Sequence, residues 1–177
     1  MSNLIDSLNR FGFETLQRTN PQSDTENTVF SPYSAFVCVA MSNSLFKDET
    51  REEILKSLQI QGKDTQVTTV LQHLRELIEQ EKTEKVSVSN RIWANEKLNF
   101  SPSTFSPNEQ ILKIPIEKTG FPQPGCNRIN EEVNQTTHGM IPKLVEESDL
   151  DPMTAIVLLN AIYFKSEWEK PFDITHD

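Results

Sequence analysis

The side chains best suited to metal or nucleophilic chemistry in this chain of 177 residues are three histidines and two cysteines. Zinc sites typically use pairs of such residues separated by about two to five positions. His73, His138 and His176 are widely separated from one another, and also from Cys38 and Cys126. The spacing therefore predicts no metal site.

Covalent catalysis is not indicated either. A reactive cysteine needs surroundings that lower its thiol pKa, such as a neighbouring cation. Cys38 lies in an apolar segment, where free cysteine usually packs as a small hydrophobic residue, and Cys126 has no cationic residue beside it. The five glycines form no phosphate-binding loop, and no serine stands in a nucleophile elbow. The residues predict neither an enzyme nor a bound cofactor.

The composition excludes several classes of partner. The chain has 26 acidic and 17 basic residues and a net charge of −9, which disfavours binding to a phosphate backbone. The helix expected over residues 67–78 has too few basic groups on its polar face for a polyanion site. No apolar run reaches the roughly 18 residues that span a bilayer. We therefore expect no nucleic-acid, polyanion or membrane partner.

Helical spacing of apolar residues predicts five helices. Capping residues and glycines suggest where several of them begin and end: a capping box formed by Thr50 and Glu53, a stop near Gly62, and a left-handed stop at Gly139. The expected helices cover residues 3–18, 32–41, 50–58, 67–78 and 127–137.

The second of these helices is expected to be a core helix. Thr28 to Phe30 is a short strand-like run, and Ser31 followed by Pro32 is a strong helix start, because proline has no N–H to leave unpaired there. Residues 35–41 are apolar on every face of the helix. Such a helix is expected to be buried on all sides.

Three strands are predicted, near residues 85–95, 111–117 and 153–165. The first two alternate between apolar and polar residues, and Ser-Pro pairs mark a loop between them that holds at most a short helix over residues 102–105. The third is continuously apolar from 153 to 164, which indicates that both of its faces are covered. Helices packed on a central sheet make this an α+β fold, and three strands are few for it, so we expect a partial domain.

Asn160 interrupts this most apolar segment. A buried amide without a partner costs about 1–3 kcal/mol, so we expect it to be hydrogen-bonded inside the core. Ser31 and Ser34, at the start of the core helix, are the natural partners. The three side chains form either a static network or a latch that changes partners when the sheet rearranges.

Four segments, in this order, resemble the serpin family of protease inhibitors. The last is the longest and most specific match, although Ser166 stands where the family often has glycine. Residues 46–50 also replace a turn that usually contains glycine. The matching segments are residues 30–34 (FSPYS), 89–93 (SNRIW), 130–145 (NEEVNQTTHGMIPKLV) and 160–172 (NAIYFKSEWEKPF).

The resemblance implies that residues 1–177 are the N-terminal part of a serpin domain. The family's reactive-centre loop would lie beyond Asp177, so no reactive bond is expected in this chain. It also implies a suicide-substrate inhibitor, in which the cleaved loop inserts as a strand into the central sheet. Ser31, Ser34 and Asn160 would then form the network that opens the sheet, and Trp168 would mark the point where insertion begins.

The partner implied by the resemblance is a target serine or cysteine protease, bound only when the C-terminal part is present. A helix starting almost at Met1 resembles the intracellular branch of the family and predicts a cytoplasmic protein; secretion by a non-classical route is the alternative. Two other functional interpretations remain open: a non-inhibitory binding or chaperone-like serpin, and an inactive truncated product.

Overall fold

The architecture is a three-stranded sheet with helices on both faces. A computed structural model describes residues 2–19, 28–60, 68–70, 72, 73, 75, 76, 85–110 and 112–172. The labelled helices are α1 (Ser2–Thr19), α2 (Pro32–Ser42), α3 (Asp48–Ser57), α4 (Pro102–Gln110) and α5 (Gly125–Thr136); the strands are β1 (Val86–Asn95), β2 (Ile116–Thr119) and β3 (Ile156–Phe164). The predicted α+β class is confirmed.

The strand order is β2-β1-β3. β1 runs parallel to β2, with Ile92 opposite Ile116, and antiparallel to β3, with Asn90 opposite Asn160. The side chains of odd-numbered β1 residues point to one face of the sheet and those of even-numbered residues to the other. β1 is therefore the central strand of the described sheet.

Each face of the sheet has its own apolar cluster. Even-numbered β1 residues such as Ile92 and Ala94 pack with α2 and with parts of α1, α3 and α4. The odd-numbered Trp93 packs with α5, against side chains that include Ile129 and Val133. The sheet is thus held between α2 on one side and α5 on the other.

Two of the predicted strand boundaries are wrong. β2 begins at Ile116 and not near residue 111, because Lys113 has a positive φ of 54° that interrupts an extended chain. β3 begins at Ile156 and not near residue 153. There the Asp151 carbonyl accepts a hydrogen bond from the Thr154 N–H at 2.8 Å and closes a turn.

α2 begins as predicted and is buried only in part. The Ser31 hydroxyl caps it by accepting a hydrogen bond from the Ser34 N–H. Phe36 and Met41 are fully buried, whereas Cys38 and Val39 are half-buried. The expectation of burial on all sides is wrong for the described residues, because their packing covers only part of the helix circumference.

Several helix boundaries also differ from expectation. α3 begins at Asp48, so Thr50 lies inside the helix and forms no capping box. No strand is assigned at residues 28–30, which pair with no described strand. α4 continues through Pro107 to Gln110, and there the buried Asn108 amide donates hydrogen bonds to the Met41 carbonyl and the Ser44 hydroxyl. These bonds tie α4 to the end of α2.

The remaining helices match the sequence more closely. α1 covers the predicted span, and Gly139 ends α5 with a φ of 82° and a 2.8 Å hydrogen bond from its N–H to the Asn134 carbonyl. Described residues between 68 and 76 are helical, while Gly62 and most of the apolar stripe predicted over 67–78 lie outside the described residues. Within the described part of the chain, no helix has both the length and the apolar character needed to cross a membrane.

Candidate functional site

The edge of β3 that faces away from β1 is the most unusual feature of the sheet. β3 has nine residues and is uncharged throughout. Among the described residues only β1 pairs with it. An unpaired edge presents free N–H and C=O groups to another extended chain. β3 is therefore a potential acceptor for an additional strand.

The hydrogen-bond pattern identifies which residues of β3 face this edge. The Asn95 N–H donates to the Ala155 carbonyl and the Lys165 N–H to the Lys85 carbonyl. These two pairs continue the β1–β3 register by one residue at each end. Because bonded and non-bonded pairs alternate in an antiparallel ladder, the odd-numbered residues of β3 bond to β1. The backbone groups that point to the open edge belong to Ile156, Leu158, Asn160, Ile162 and Phe164.

Asn160 is at the centre of that edge. Asn160 lies opposite Asn90 in a pair whose backbones are not hydrogen-bonded to each other, the kind of pair in which opposite side chains approach most closely. Its Nδ2 donates a hydrogen bond to Asn90 Oδ1 at 2.6 Å, while its own Oδ1 is buried without a partner among the described residues. Asn160 thus has the predicted hydrogen bond, although in a half-buried position and with Asn90, a partner that sequence reasoning missed.

Ser31 and Ser34 make a separate contact at the start of α2. The Ser31 hydroxyl donates to the Ser34 hydroxyl at 3.0 Å, and the two residues also share the capping bond. The structure brings these serines together but shows no hydrogen bond from either of them to Asn160. Their proposed part in opening the sheet remains a prediction.

Two further side chains of α2 contact the Asn90–Asn160 pair. Burial raises the pKa of Tyr33 to about 12, and a hydrogen bond with the Asn90 side chain partly offsets this rise. Burial also raises the pKa of the Cys38 thiol, offset in part by a hydrogen bond with the Asn160 backbone. α2 therefore contacts both strands through groups that stay neutral near pH 7.

We predict that stability falls at high pH because of Tyr33. A phenol whose pKa is raised in the folded state keeps its proton after the unfolded chain has lost it, so the free energy of unfolding declines as pH rises from about 10 to about 12. Allowing for partial exposure, we expect a loss of about 1–2 kcal/mol, measured by urea denaturation at each pH. Tyr33→Phe should remove this loss and Tyr163→Phe should retain it; equal slopes in the two variants would contradict the assignment.

We further predict that Asn160→Ala lowers the free energy of unfolding by about 1–3 kcal/mol, because it leaves Asn90 Oδ1 without its donor. Urea denaturation of Asn160→Ala, Asn90→Ala and the double variant forms a double-mutant cycle. The double variant should lose less than the sum of the two single losses. Strict additivity would show that the amide pair contributes nothing.

Comparison with known proteins identifies the family. The family model described as "Serpin (serine protease inhibitor)" matches residues 6–176. The chain belongs to the serpin family.

Curated serpins match nearly the whole chain. Serpin A3-7 from Bos taurus is 30% identical and aligns with 98% of this chain and 42% of its own length. Leukocyte elastase inhibitor from Xenopus laevis is 29% identical, with 99% of this chain and 48% of its own length covered. The chain therefore spans less than half the length of these serpins.

Solved serpin structures agree with the fold. Ovalbumin from emu (Dromaius novaehollandiae) has a TM-score of 0.84 at 22% identity and covers 97% of this chain and 49% of its own. At this identity the likeness shows the fold alone. The described sheet and its helices are thus part of a serpin fold.

Trp168 lies four residues beyond the end of β3. Its side chain is 71% exposed and packs edge-to-face on Phe172, with 5.7 Å between ring centroids. Phe164 and Phe172 are exposed as well. Phe164 is the last residue of the open edge, and Trp168 and Phe172 follow it in the chain; whether a strand enters there remains a prediction.

The segment that leads from α5 back towards β3 is held by Asn130, which sequence reasoning did not single out. Its Oδ1 accepts hydrogen bonds from the N–H groups of Leu144 and Val145, and its Nδ2 donates to the Val145 carbonyl at 2.8 Å.

No group of three His, Cys, Asp or Glu side chains among the described residues is placed to hold a metal ion. The open backbone edge of β3, paired with β1 alone among the described strands, is the candidate site of this serpin chain.

Proposed function

We propose that this chain is the strand-accepting part of a serpin-type protease inhibitor. The observation that carries the proposal is the open edge of β3, where every second residue from Ile156 to Phe164, five in all, points its backbone N–H and C=O outwards. Strand addition at an exposed sheet edge is a recognised binding mode, and serpin loop insertion is one of its known examples. The family membership and the unpaired edge together favour it.

In this proposal a protease cleaves a reactive loop and stays attached to it as an acyl-enzyme. The loop then inserts beside β3 and bonds to the outward N–H and C=O groups of the even-numbered residues. The amide pair of Asn90 and Asn160, with Ser31 and Ser34, supplies neutral hydrogen bonds that can re-pair as the sheet shifts over α2. Trp168 marks the end of the edge where insertion starts.

We propose that polypeptide outside these 177 residues supplies the reactive loop. The curated relatives are about twice as long as the region they share with this chain. The partner would be a serine or cysteine protease, met in the cytoplasm. Residues 1–177 would then form part of a domain completed by that further polypeptide.

The test compares the 177-residue chain with the same chain extended by the polypeptide encoded downstream. Each is incubated with a trypsin-like, a chymotrypsin-like and a papain-like protease, and residual activity is titrated against inhibitor concentration. The short chain should leave all three active, whereas the extended protein should inactivate at least one of them stoichiometrically. Inactivation by the short chain, or no inactivation by the extended protein, would overturn the proposal.

An Ile162→Pro variant of the extended protein tests the edge itself. Proline removes one outward N–H from the edge but no bond to β1. We expect the variant to be cleaved by its target protease as a substrate, with fewer covalent complexes per cleavage on denaturing gels. Phe13→Ala, on the exposed side of α1, is the matched control and should inhibit normally. Equal inhibition by both variants would place strand addition elsewhere.

A further inference from the structure

The face of the sheet that carries α5 contains a cluster of four charged side chains from three elements. Arg91 of β1 forms ion pairs with Glu117 of β2 and, at 3.0 Å, with Glu132 of α5. Arg128 of α5 also pairs with Glu117. The two positive and two negative charges balance. The three ion pairs join β1 to β2, β1 to α5 and β2 to α5.

Neighbouring groups fix the geometry of this cluster. Trp93 is almost fully buried, and the guanidinium carbons of Arg91 and Arg128 lie 5.6 and 5.0 Å from its ring centroid, within cation–π range. Arg128 also donates to the Lys118 carbonyl, and the Ser89 hydroxyl donates to Glu132. Each arginine is thus oriented by more than one contact.

The contact between α5 and β3 is of a different kind. Leu159 and Ala161 of β3 belong to the apolar cluster under α5. Beyond α5, the His138 ring packs edge-to-face on Tyr163 with 4.6 Å between centroids, and His138 Nε2 is 3.2 Å from the Ser87 hydroxyl. Apolar contacts are not directional and re-form after a slide, whereas a forked arginine pair requires one geometry. The directional contacts of α5 are therefore with β1 and β2.

The ion pairs between α5 and the two strands are partly buried, which strengthens them relative to exposed pairs. The side chains of Arg91, Glu132 and Glu117 are 19, 21 and 31% exposed, so solvent and salt screen these pairs less than they screen an exposed pair. Loss of Arg91 would leave Glu132 without an ion-pair partner among the described residues, and Glu117 with Arg128 alone. The cluster would then hold two partly buried carboxylates and one cation, Arg128.

We propose that Arg91 is a positioning residue that fastens α5 to β1 and β2, so that α5 stays with these two strands when the sheet loosens. This property belongs to the described residues and does not depend on the protease-inhibitor proposal. It predicts that α5 and β1 open together in the native protein, and that removing the guanidinium separates them.

Hydrogen exchange of the 177-residue chain, followed by mass spectrometry in low denaturant, tests this proposal. Peptides from α5 and β1 should exchange in step in the unaltered chain. In Arg91→Gln, we expect α5 amides to exchange about tenfold faster or more, while β1 and β3 amides change much less. Lys143→Gln is the matched control, because Lys143 forms an exposed pair with Glu146 in the segment after α5 and should leave α5 exchange unchanged.

Two further variants separate positioning from general stability. Arg91→Lys keeps the charge but cannot pair with both carboxylates through a planar fork, so its α5 exchange should be intermediate. Arg91→Gln with Glu132→Gln should expose α5 less than the two single changes together. These variants also serve if Arg91→Gln does not fold. Unchanged α5 exchange, or an equal rise in α5, β1 and β3, would overturn the proposal.

Discussion

Replacing Ala161 by proline is expected to unfold the sheet, whereas the same replacement at Ile162 should leave it folded. Ala161 is buried, and its N–H belongs to the bonded set that points to β1, so proline removes a ladder bond and places its ring against the neighbouring strand. We expect a loss of more than about 3 kcal/mol in the free energy of unfolding. Far-ultraviolet circular dichroism and urea denaturation measure it.

Ile162 is the matched control for this prediction. Its N–H points to the open edge, where proline is tolerated, and its side chain is 38% exposed, so the expected loss is about 1 kcal/mol. The contrast depends only on which residues of β3 bond to β1. Equal destabilisation by the two variants would mean that the assigned bonding pattern or the open edge is wrong.

The existence of β3 was predictable from sequence and its start was not. Continuous apolarity over residues 156–164 predicts a strand covered on both faces. The strand is confirmed, but full cover is wrong, because Ile162 and Phe164 are exposed. Met153 belongs to the same apolar run, yet Asp151 accepts hydrogen bonds from the residues that follow it and turns the chain there. Hydrophobicity does not report such side-chain and backbone bonds, so the boundary was wrong by three residues.

The polar contacts of the sheet depend on register, which a single sequence does not supply. Asn160 was expected to have a partner because burying a lone amide is costly. Asn90 is 70 positions away and becomes its partner only through the pairing of β1 with β3. Ser31 and Ser34 were the wrong hydrogen-bond partners for Asn160. Their position at the start of the core helix does not determine which residues of the sheet they lie against.

The same reason explains why the arginine cluster was missed. Arg91 and Trp93 alternate with apolar residues in β1, so the sequence placed them together on one face. Their partners come from β2 and α5, and the sequence did not indicate that α5 covers this face. Charged side chains in a strand usually read as solvent-facing, and only the structure shows Arg91 partly buried between two carboxylates.

Replacing Phe36 by alanine is expected to destabilise the protein by about 3–5 kcal/mol, the range for a fully buried aromatic residue. Phe36 lies on α2 and packs edge-to-face on Phe11, with 5.6 Å between ring centroids, so the change opens a cavity between α1 and α2. Phe13→Ala, the same substitution at a position that is 69% exposed, is the control. It should change the free energy of unfolding by no more than about 0.5 kcal/mol.

The consequence of Phe36→Ala reaches the candidate site through α2. That helix supports the β3 face that carries Asn160; its Tyr33 contacts the Asn90 side chain and its Cys38 the Asn160 backbone. A cavity beside Phe36 should therefore also weaken the contacts of Tyr33, and the stability loss between pH 10 and 12 should shrink in the same variant. If stability falls by the full amount while that pH dependence is unchanged, α2 does not couple the core to the edge of β3.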